Sequence, residues 1–185
     1  GRSRCNWFNL LPTGEAADAP NLQQYMRHGL VQMVLATDMA GHAAHVQKLK
    51  DFVKERQPSE SSLSLDAKQF ILDTMLHAAD ISNPCKPKQM MMYWTEKVIT
   101  EFWAQGDDEK ALGLSISPLC DRETGRVSVA KGQLTFVQFV IVPFFEQIAQ
   151  LIEEAQEAMD QLRVNRKFWE EKEKQQLTFE QIFEK

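Results

Sequence analysis

The chain has 185 residues, of which 43% are hydrophobic and 25% charged, and its formal net charge is −5. A chain of this length can bury a core of ordinary size, so we expect one folded domain or a large part of one rather than a disordered segment. The acidic balance argues against binding nucleic acid, which needs clustered Lys and Arg. No apolar run is expected to approach the length that spans a membrane.

The first half of the chain predicts an irregular start followed by helices. Residues 1–20 show little periodicity and are expected to be irregular. Asn21, with Gln24 three residues later, is typical of a helix start. Apolar residues then recur at helical spacing from Leu22 to about Val53, with a bend expected at Gly41. Residues 57–64 are predicted to be a loop.

The second half predicts a further series of helices. Asn83 precedes Pro84 and is expected to end a helix, Gly106 is expected to close the next one, and Pro143 should kink a long apolar helix. Residues 114–125 are predicted to form an ordered loop. The predicted helices are Leu65–Ile81, Pro87–Gln105, Val127–Ile152, Ala155–Glu171 and Thr178–Lys185. No strand-like alternation occurs, so the predicted fold class is all-α, with residues 21–175 as the main body and 176–185 as a terminal helix or tail.

One polar cluster lies at the end of a predicted apolar helix, in the sequence HAADISNP. His77 and Asp80 are three residues apart and therefore share a helix face. A carboxylate such as Asp80 in an apolar setting should be solvated, paired or bound to metal. Spacing alone favours a structural role for Asp80, either a helix cap or an ion pair, over metal binding.

A second polar cluster contains Asp38, His42 and His45, spaced i, i+4 and i+7. This face could present one carboxylate and two imidazoles to a zinc ion. Spacing alone favours a solvated helix face with ordinary histidines instead.

Gln133 and Phe136 lie one turn apart on a predicted helix and can face the same cavity. A glutamine beside a phenylalanine could hold a flat, hydrogen-bonding ring, with the amide at the ring edge and the phenyl group on its face. On spacing alone, a surface glutamine beside a core phenylalanine is favoured.

Five segments, in this order, resemble the class I cyclic-nucleotide phosphodiesterases from about Asn21 to Trp169. They are LATDMAGH (35–42), HAADISNP (77–84), YWTEKVITEFWAQGDDE (93–109), SPLCDR (117–122) and the helix from GQLTF (132–136) to Pro143. The resemblance implies an all-α catalytic domain that hydrolyses cAMP or cGMP to the 5′-monophosphate with two divalent metal ions, zinc and magnesium or manganese.

The resemblance also assigns roles to individual residues. Asp80 matches a metal-binding carboxylate, Asp38 and His77 are expected to support the metal centre, and Met39 corresponds to a position lining the pocket. His42 and His45 match no family ligand. For the nucleotide, Gln133 matches the family's glutamine that hydrogen-bonds the purine, Phe136 the aromatic residue that stacks on the base, and Val98 the aliphatic residue on its other face. The remaining positions match residues that line the pocket: Asn83, Trp94 and Thr95.

Departures from the family pattern limit what the chain can do alone. Met91 stands where some relatives carry a tyrosine that orients the glutamine, and residues 123–126 include two extra loop positions. The family's HNxxH and His-Asp motifs, which supply the general-acid histidine and the remaining metal ligands, are absent. We therefore expect an incomplete C-terminal part of the domain, inactive by itself. A noncatalytic helical interaction module, or a degenerate phosphodiesterase-like protein, is the alternative.

Few residues bear on the cellular compartment and the partners of the protein. Cys5, Cys85 and Cys120 are widely spaced with no CxxC pair, which favours a reducing, cytoplasmic environment over a disulfide framework. The cyclic nucleotide is the expected small-molecule partner. A homodimer, or regulatory domains in a longer parent chain, would be compatible with the resemblance.

Overall fold

The computed structural model describes residues 7–13, 21–55 and 63–183, and this part of the chain contains helices and no strand. The predicted all-α class is therefore confirmed. The α-helices are α1 (Leu22–Leu35), α2 (His42–Glu55), α3 (Leu65–Asp80), α4 (Lys88–Ala111), α5 (Arg122–Gly125), α6 (Val129–Phe136), α7 (Val142–Leu151), α8 (Gln156–Lys174) and α9 (Phe179–Phe183). Short 3₁₀ turns cover Trp7–Leu10, Met39–Gly41, Asn83–Cys85 and Glu153–Ala155. The loop predicted at 57–64 lies mostly outside the described residues.

The chain divides into two compact units, one formed by Gly1–Lys48 with Glu55–Asp80 and the other by Leu49–Lys54 with Ile81–Lys185. In the first unit, α1 packs against α3. In the second unit, α8 packs against α6, α7 and the Asn83–Cys85 turn. Asp80 therefore belongs to the first unit, and the residues from Asn83 onwards belong to the second.

The start of α1 agrees with its sequence signal, but the predicted helix from 22 to 53 is interrupted. The Asn21 side chain accepts a hydrogen bond from the Gln24 backbone N–H at 2.8 Å, which caps α1. After Leu35 the chain leaves the helix, and the Asp38 carboxylate accepts from the Ala40 N–H at 2.9 Å to cap a 3₁₀ turn. The interruption is thus centred on Asp38 rather than being a simple bend at Gly41, because a capping side chain competes with the helical hydrogen bonds.

The core of the second unit is a cluster of buried residues from α4, α6, α8 and α9: Met91, Trp103, Val129, Ala130, Trp169 and Ile182. Phe179 and Phe183 border this cluster, and the Phe179 ring lies 4.7 Å from the Trp103 ring, centroid to centroid. Each large apolar side chain buried in this way contributes about 1.5–3 kcal/mol to folding. The C-terminal helix α9 is therefore part of the core rather than an appendage.

Helix α4 runs past Gly106 to Ala111, so the prediction that Gly106 closes it was wrong. A Cβ atom at Gly106 would lie 2.0 Å from the backbone oxygen of Cys120. The glycine therefore permits the close approach of the following loop rather than stopping the helix. That loop also ends in a short helix, α5, which was not predicted from the sequence. The Asp121 carboxylate accepts a hydrogen bond from the Glu123 N–H at 2.9 Å and so caps the start of α5.

The long apolar helix predicted around Pro143 is present, but its irregularity is a π-turn, Val137–Ile141, that joins α6 to α7. The Val142 N–H bonds the Val137 carbonyl, five residues back. Proline has no N–H and its ring conflicts with a regular preceding turn, so a π-turn next to Pro143 is a standard way to accommodate it.

The continuous helix Val129–Leu151 has a mean hydropathy of 1.4 and is long and apolar enough to cross a bilayer by length and composition. The expectation that no apolar run reaches this length was therefore wrong. A core helix passes the same test, and Val137, Ile141, Phe144 and Ile148 are buried in this structure. The absence of a membrane-spanning segment stays a prediction.

Candidate functional site

Asp80 is the last residue of α3 and is exposed. Its carboxylate makes no hydrogen bond or salt bridge with any other described residue, in contrast to Asp38, whose carboxylate caps the 3₁₀ turn. Asp80 is therefore available to a metal ion, whereas Asp38 has a structural task. Met39, next to Asp38, is 44% exposed.

Three of the four histidines of the first unit, His42, His45 and His77, are organised around one another. His42 Nδ1 and His77 Nε2 are 2.9 Å apart, and His45 Nε2 lies 2.9 Å from Thr74 Oγ1. The Thr74 hydroxyl donates its hydrogen to the Phe70 carbonyl, so His45 must be the donor in its contact with Thr74. The cluster thus ties α2 to α3, and it explains the roles of His42 and His45 without a metal.

Burial sets the protonation of these histidines. The pKa of His77 is lowered to about 4, chiefly because burial penalises the charged imidazole, and also by the neighbouring His42 and His45, against a raising effect from Asp80. The pKa of His45 is lowered as well, mainly by burial. Both rings are therefore neutral at pH 7, the form that can share hydrogen bonds in a packed cluster.

Among residues 7–13, 21–55 and 63–183, no three His, Cys, Asp or Glu side chains are grouped so that they could hold a metal ion. Asp38, His42 and His45 therefore do not form the zinc site that was the less favoured alternative. The favoured solvated helix face was wrong as well, because His42 is buried. Asp80 fits the part of one metal ligand, and the chemistry of a hard carboxylate suits zinc, magnesium or manganese. The described residues do not add the further side chains that would complete a cluster of three ligands around it.

Asn83, in the second unit, is the best-defined polar group among the predicted nucleotide contacts. Its Nδ2 donates to Thr95 Oγ1 at 3.0 Å and to the Met91 carbonyl at 3.3 Å. A carbonyl can only accept, so the amide orientation follows from the Met91 contact. The Asn83 Oδ1 atom is buried and has no hydrogen-bond partner. A buried acceptor left in this state is costly unless a ligand or water supplies a donor.

Helix α4 presents two different faces. Thr95 and Met91 are fully buried, and the Met91 side chain lies in the core cluster. Trp94, Val98 and Phe102, spaced four residues apart, form an exposed apolar stripe of 54%, 43% and 38% exposure. Side chains at this spacing lie along one face of a helix. The stripe includes Val98 and Trp94, and their contact with a nucleotide stays a prediction.

Gln133 and Phe136 are half-buried on α6. The Gln133 amide makes no hydrogen bond within the described part of the chain, so nothing in that part fixes which of its ends is a donor. The π-turn begins at Val137, directly after Phe136. Such turns occur frequently beside functional positions because they reset the direction of the helix face.

Two features that affect this region were not predicted from the sequence. The Asn83 amide donates a hydrogen bond to Thr95, twelve residues away along the chain. The contact between His42 and His77 joins residues 35 positions apart. No periodic pattern in the sequence links such distant positions, and these residues were candidates only because their side chains are polar.

A groove of about 530 Å³ on α1, lined by Tyr25, Arg27, His28 and neighbours, contains none of the predicted site residues.

No nucleophilic thiol competes with this interpretation in the described residues. Burial raises the pKa of the Cys85 thiol to about 12, and that of Cys120 is raised as well. Both thiols are therefore protonated at neutral pH and unreactive.

The chain matches the family model for 3′5′-cyclic nucleotide phosphodiesterase over residues 3–162. It is 37% identical over 172 residues to the probable 3′,5′-cyclic-AMP phosphodiesterase pde-4 of Caenorhabditis elegans, covering 88% of this chain and 25% of the relative. It is also 37% identical over 150 residues to the 3′,5′-cyclic-AMP phosphodiesterase 4C of Rattus norvegicus, covering 78% of this chain and 28% of the relative. The chain thus spans about a quarter of the length of these relatives.

Solved structures agree with the fold. The structure of LmjPDEB1 in complex with IBMX superimposes with a TM-score of 0.72 and 31% identity, covering 80% of this chain and 43% of that one. The phosphodiesterase domain of Salpingoeca rosetta rhodopsin phosphodiesterase gives a TM-score of 0.76 at 24% identity, covering 94% of this chain and 53% of the other.

Proposed function

The chain belongs to the 3′,5′-cyclic nucleotide phosphodiesterase family, and from this membership we propose that it supplies the nucleotide-binding part and one metal ligand of an enzyme that hydrolyses cAMP or cGMP. The product is the 5′-monophosphate. The relatives named above are described as cyclic-AMP phosphodiesterases, which favours cAMP as the substrate.

The observation that carries this proposal is the buried, unpartnered Oδ1 atom of Asn83. The Nδ2 hydrogens are committed to Thr95 and Met91, so the Asn83 atom left for a ligand is an acceptor and not a donor. Because this Oδ1 atom is buried, a ligand reaches it only when the groups that cover it move aside. The 6-amino group of adenine is a donor, whereas the 6-oxo group of guanine is an acceptor. With the 6-substituent of the purine at this position, Asn83 favours adenine, because a 6-amino group donates to the unpaired Oδ1 atom and a 6-oxo group does not.

Gln133, Phe136 and Val98 would hold the rest of the base. Phe136 stacks on one face of the purine, Val98 contacts the other, and the Gln133 amide bonds the ring edge. Because the Gln133 amide has no hydrogen bond within the described residues, it can turn to suit either purine. Discrimination then depends on Asn83 more than on Gln133.

Asp80 would hold a divalent cation of the zinc, magnesium or manganese type. Two such ions, when bound, supply a hydroxide nucleophile and neutralise the developing charge on the phosphate. The described residues provide one carboxylate for this purpose and no cluster of three ligands, which supports the proposal that further ligands and the general acid come from residues of a longer protein. Asp80 binds and orients metal in this scheme, and it transfers no proton.

The experiment is calorimetric titration of the purified chain with cAMP and cGMP. Phe136→Ala should weaken cAMP binding roughly ten- to hundredfold because stacking on a base contributes about 1–3 kcal/mol. Gln138→Ala, which changes an exposed glutamine two residues after Phe136, is the control and should bind as the unsubstituted chain does. Failure of the chain to bind either nucleotide would overturn the proposal in favour of a noncatalytic helical module.

A turnover assay tests the incompleteness of the site. With zinc and magnesium added, the chain alone should release no 5′-AMP from cAMP above the background of a heat-denatured sample. Substantial turnover would contradict the proposal that ligands are missing. In a longer protein that carries the HNxxH and His-Asp motifs, Asp80→Ala should abolish hydrolysis and lower the bound metal content together.

A further inference from the structure

Asn165 is a polar residue of α8 that is only 1% exposed. Its Nδ2 donates to the carbonyl oxygens of Pro84 and Lys86, both at 2.8 Å, and its Oδ1 accepts from Gln161 Nε2 at 3.1 Å. Both carbonyls can only accept, so the orientation of the Asn165 amide is determined by its partners. A buried amide with both donor hydrogens and an acceptor lone pair in use is rigidly held.

The two carbonyls belong to the turn that carries Asn83. Pro84 directly follows Asn83, and Lys86 ends the 3₁₀ turn Asn83–Cys85. Helix α4 holds the same turn from the other side through the Asn83 contacts with Met91 and Thr95. The turn is therefore fixed by α8 at its backbone and by α4 at the Asn83 side chain.

This double attachment has a consequence for ligand recognition. The Asn83 Oδ1 atom can discriminate between bases only if its position is fixed, because a mobile amide would turn its donors towards an acceptor on the ligand. The contacts with α4 set the direction of the amide, and the contacts with Asn165 set the position of the backbone that bears it.

We propose that Asn165 is a positioning residue for base recognition: by bonding the Pro84 and Lys86 carbonyls, it holds Asn83 so that its free Oδ1 accepts from a 6-amino purine. Asn165 itself touches no ligand in this proposal. The proposal rests on the nucleotide-binding function proposed above. Asn165 lies 81 positions along the chain from Pro84, in the turn that it holds.

The test compares cAMP with inosine 3′,5′-cyclic monophosphate, which carries an oxygen in place of the 6-amino group. Asn165→Asp keeps the size of the side chain but directs an oxygen at two carbonyl oxygens, which displaces the turn. The dissociation constant of the inosine nucleotide divided by that of cAMP should fall about five- to tenfold, which is the effect of one hydrogen bond. Binding of cAMP is weakened, and binding of the inosine nucleotide is nearly unchanged.

Three variants make the test specific. Asn83→Ala should reduce the ratio by a similar factor, and the double variant with Asn165→Asp should fall no further, because both act through one contact. Ile182→Val, a core change on α9, should lower stability without changing the ratio. If Asn165→Asp does not fold, Gln161→Leu frees the Asn165 amide by removing its acceptor contact, and it should lower the ratio by a smaller factor.

The outcomes separate this proposal from the proposed function. A ratio unchanged in Asn165→Asp and in Gln161→Leu, in proteins that bind cAMP, overturns the positioning role alone. If the unsubstituted chain binds neither nucleotide, the proposed function is wrong. Nitrogen-15 spectra then still decide the positioning role: the Asn83 side-chain amide signals should shift in Asn165→Asp, and unchanged signals overturn it.

Discussion

At the scale of single residues, the buried His77 makes the stability of the first unit depend on pH. Its pKa is about 4 in the folded chain, below the ordinary value of 6.5 that it regains on unfolding. Between these two values the unfolded state binds a proton that the folded state does not. Stability is therefore greatest above pH 6.5, decreases as the pH falls towards 4 and is constant again below it, with a total loss of up to about 3 kcal/mol.

The expected result is a fall in the free energy of unfolding by up to about 1.4 kcal/mol per pH unit between pH 6.5 and pH 4. Urea unfolding followed by circular dichroism measures it, with a chelator present to keep Asp80 free of metal. His77→Gln can still bond His42 but does not titrate, so its slope should be shallower even if its stability at pH 7 is lower. His28→Gln, an exposed histidine of α1, should keep the original slope. Equal slopes in His77→Gln and the unsubstituted chain would contradict the prediction.

Sequence signals at this scale predict what depends on near neighbours. Asn21 and Gln24 are three residues apart, and their cap is readable from the chain. Spacing by itself left Asp80 as an ordinary helix-end carboxylate, and only the resemblance gave it a metal-binding role. The contact between Asn165 and Pro84 spans 81 residues, so no local pattern reveals it.

At the scale of helices, Gly106 illustrates how a neighbouring segment overrides a local preference. Glycine in a helix interior costs about 1 kcal/mol relative to alanine, so the sequence indicated a helix end there. The helix continues because the Cys120 backbone lies against it. Which loop approaches a helix is decided by the whole fold, and a single-sequence pattern does not contain that information.

A pair of glycine substitutions tests this explanation. Gly106→Ala should destabilise the chain by about 1–3 kcal/mol, because the added methyl group forces the loop away from α4. Gly132→Ala, in α6 with nothing within 4 Å of its added Cβ, should stabilise it by about 0.5–1 kcal/mol. Urea unfolding of the two variants measures both effects. Stabilisation by Gly106→Ala would show that the close approach of Cys120 is absent.

At the scale of the whole molecule, the C-terminal helix stabilises the second unit. The prediction for residues 176–185 left open a terminal helix or a tail, and Phe179–Phe183 is helical with Ile182 buried. The sequence did not show where this helix packs, because its partners, Trp103 and Trp169, lie on two other helices. The all-α class was predictable because helical periodicity runs through most of the chain.

Removal of residues 176–185 should therefore destabilise the second unit by on the order of 5 kcal/mol, since the buried Ile182 and the partly buried Leu177, Phe179 and Phe183 leave the core. The tryptophan fluorescence of the truncated chain should shift to longer wavelength as Trp103 and Trp169 meet water. Arg126→Ala is the control: it removes an exposed ion pair with Glu180 and should cost below about 1 kcal/mol. An unchanged urea midpoint in the truncated chain would show that α9 does not support the core.

The π-turn between α6 and α7 has a consequence for how this segment tolerates changes in length. A residue added to a regular helix rotates everything after it by about 100°, which would turn a buried face towards water. A π-turn absorbs one extra residue locally, so the faces before and after it keep their directions. Deleting one residue within Val137–Ile141 could restore a regular helix while Phe136 and Phe144 stay on their own sides. In an alignment of related chains, a single-residue gap is therefore better placed in this turn than anywhere else along the helix.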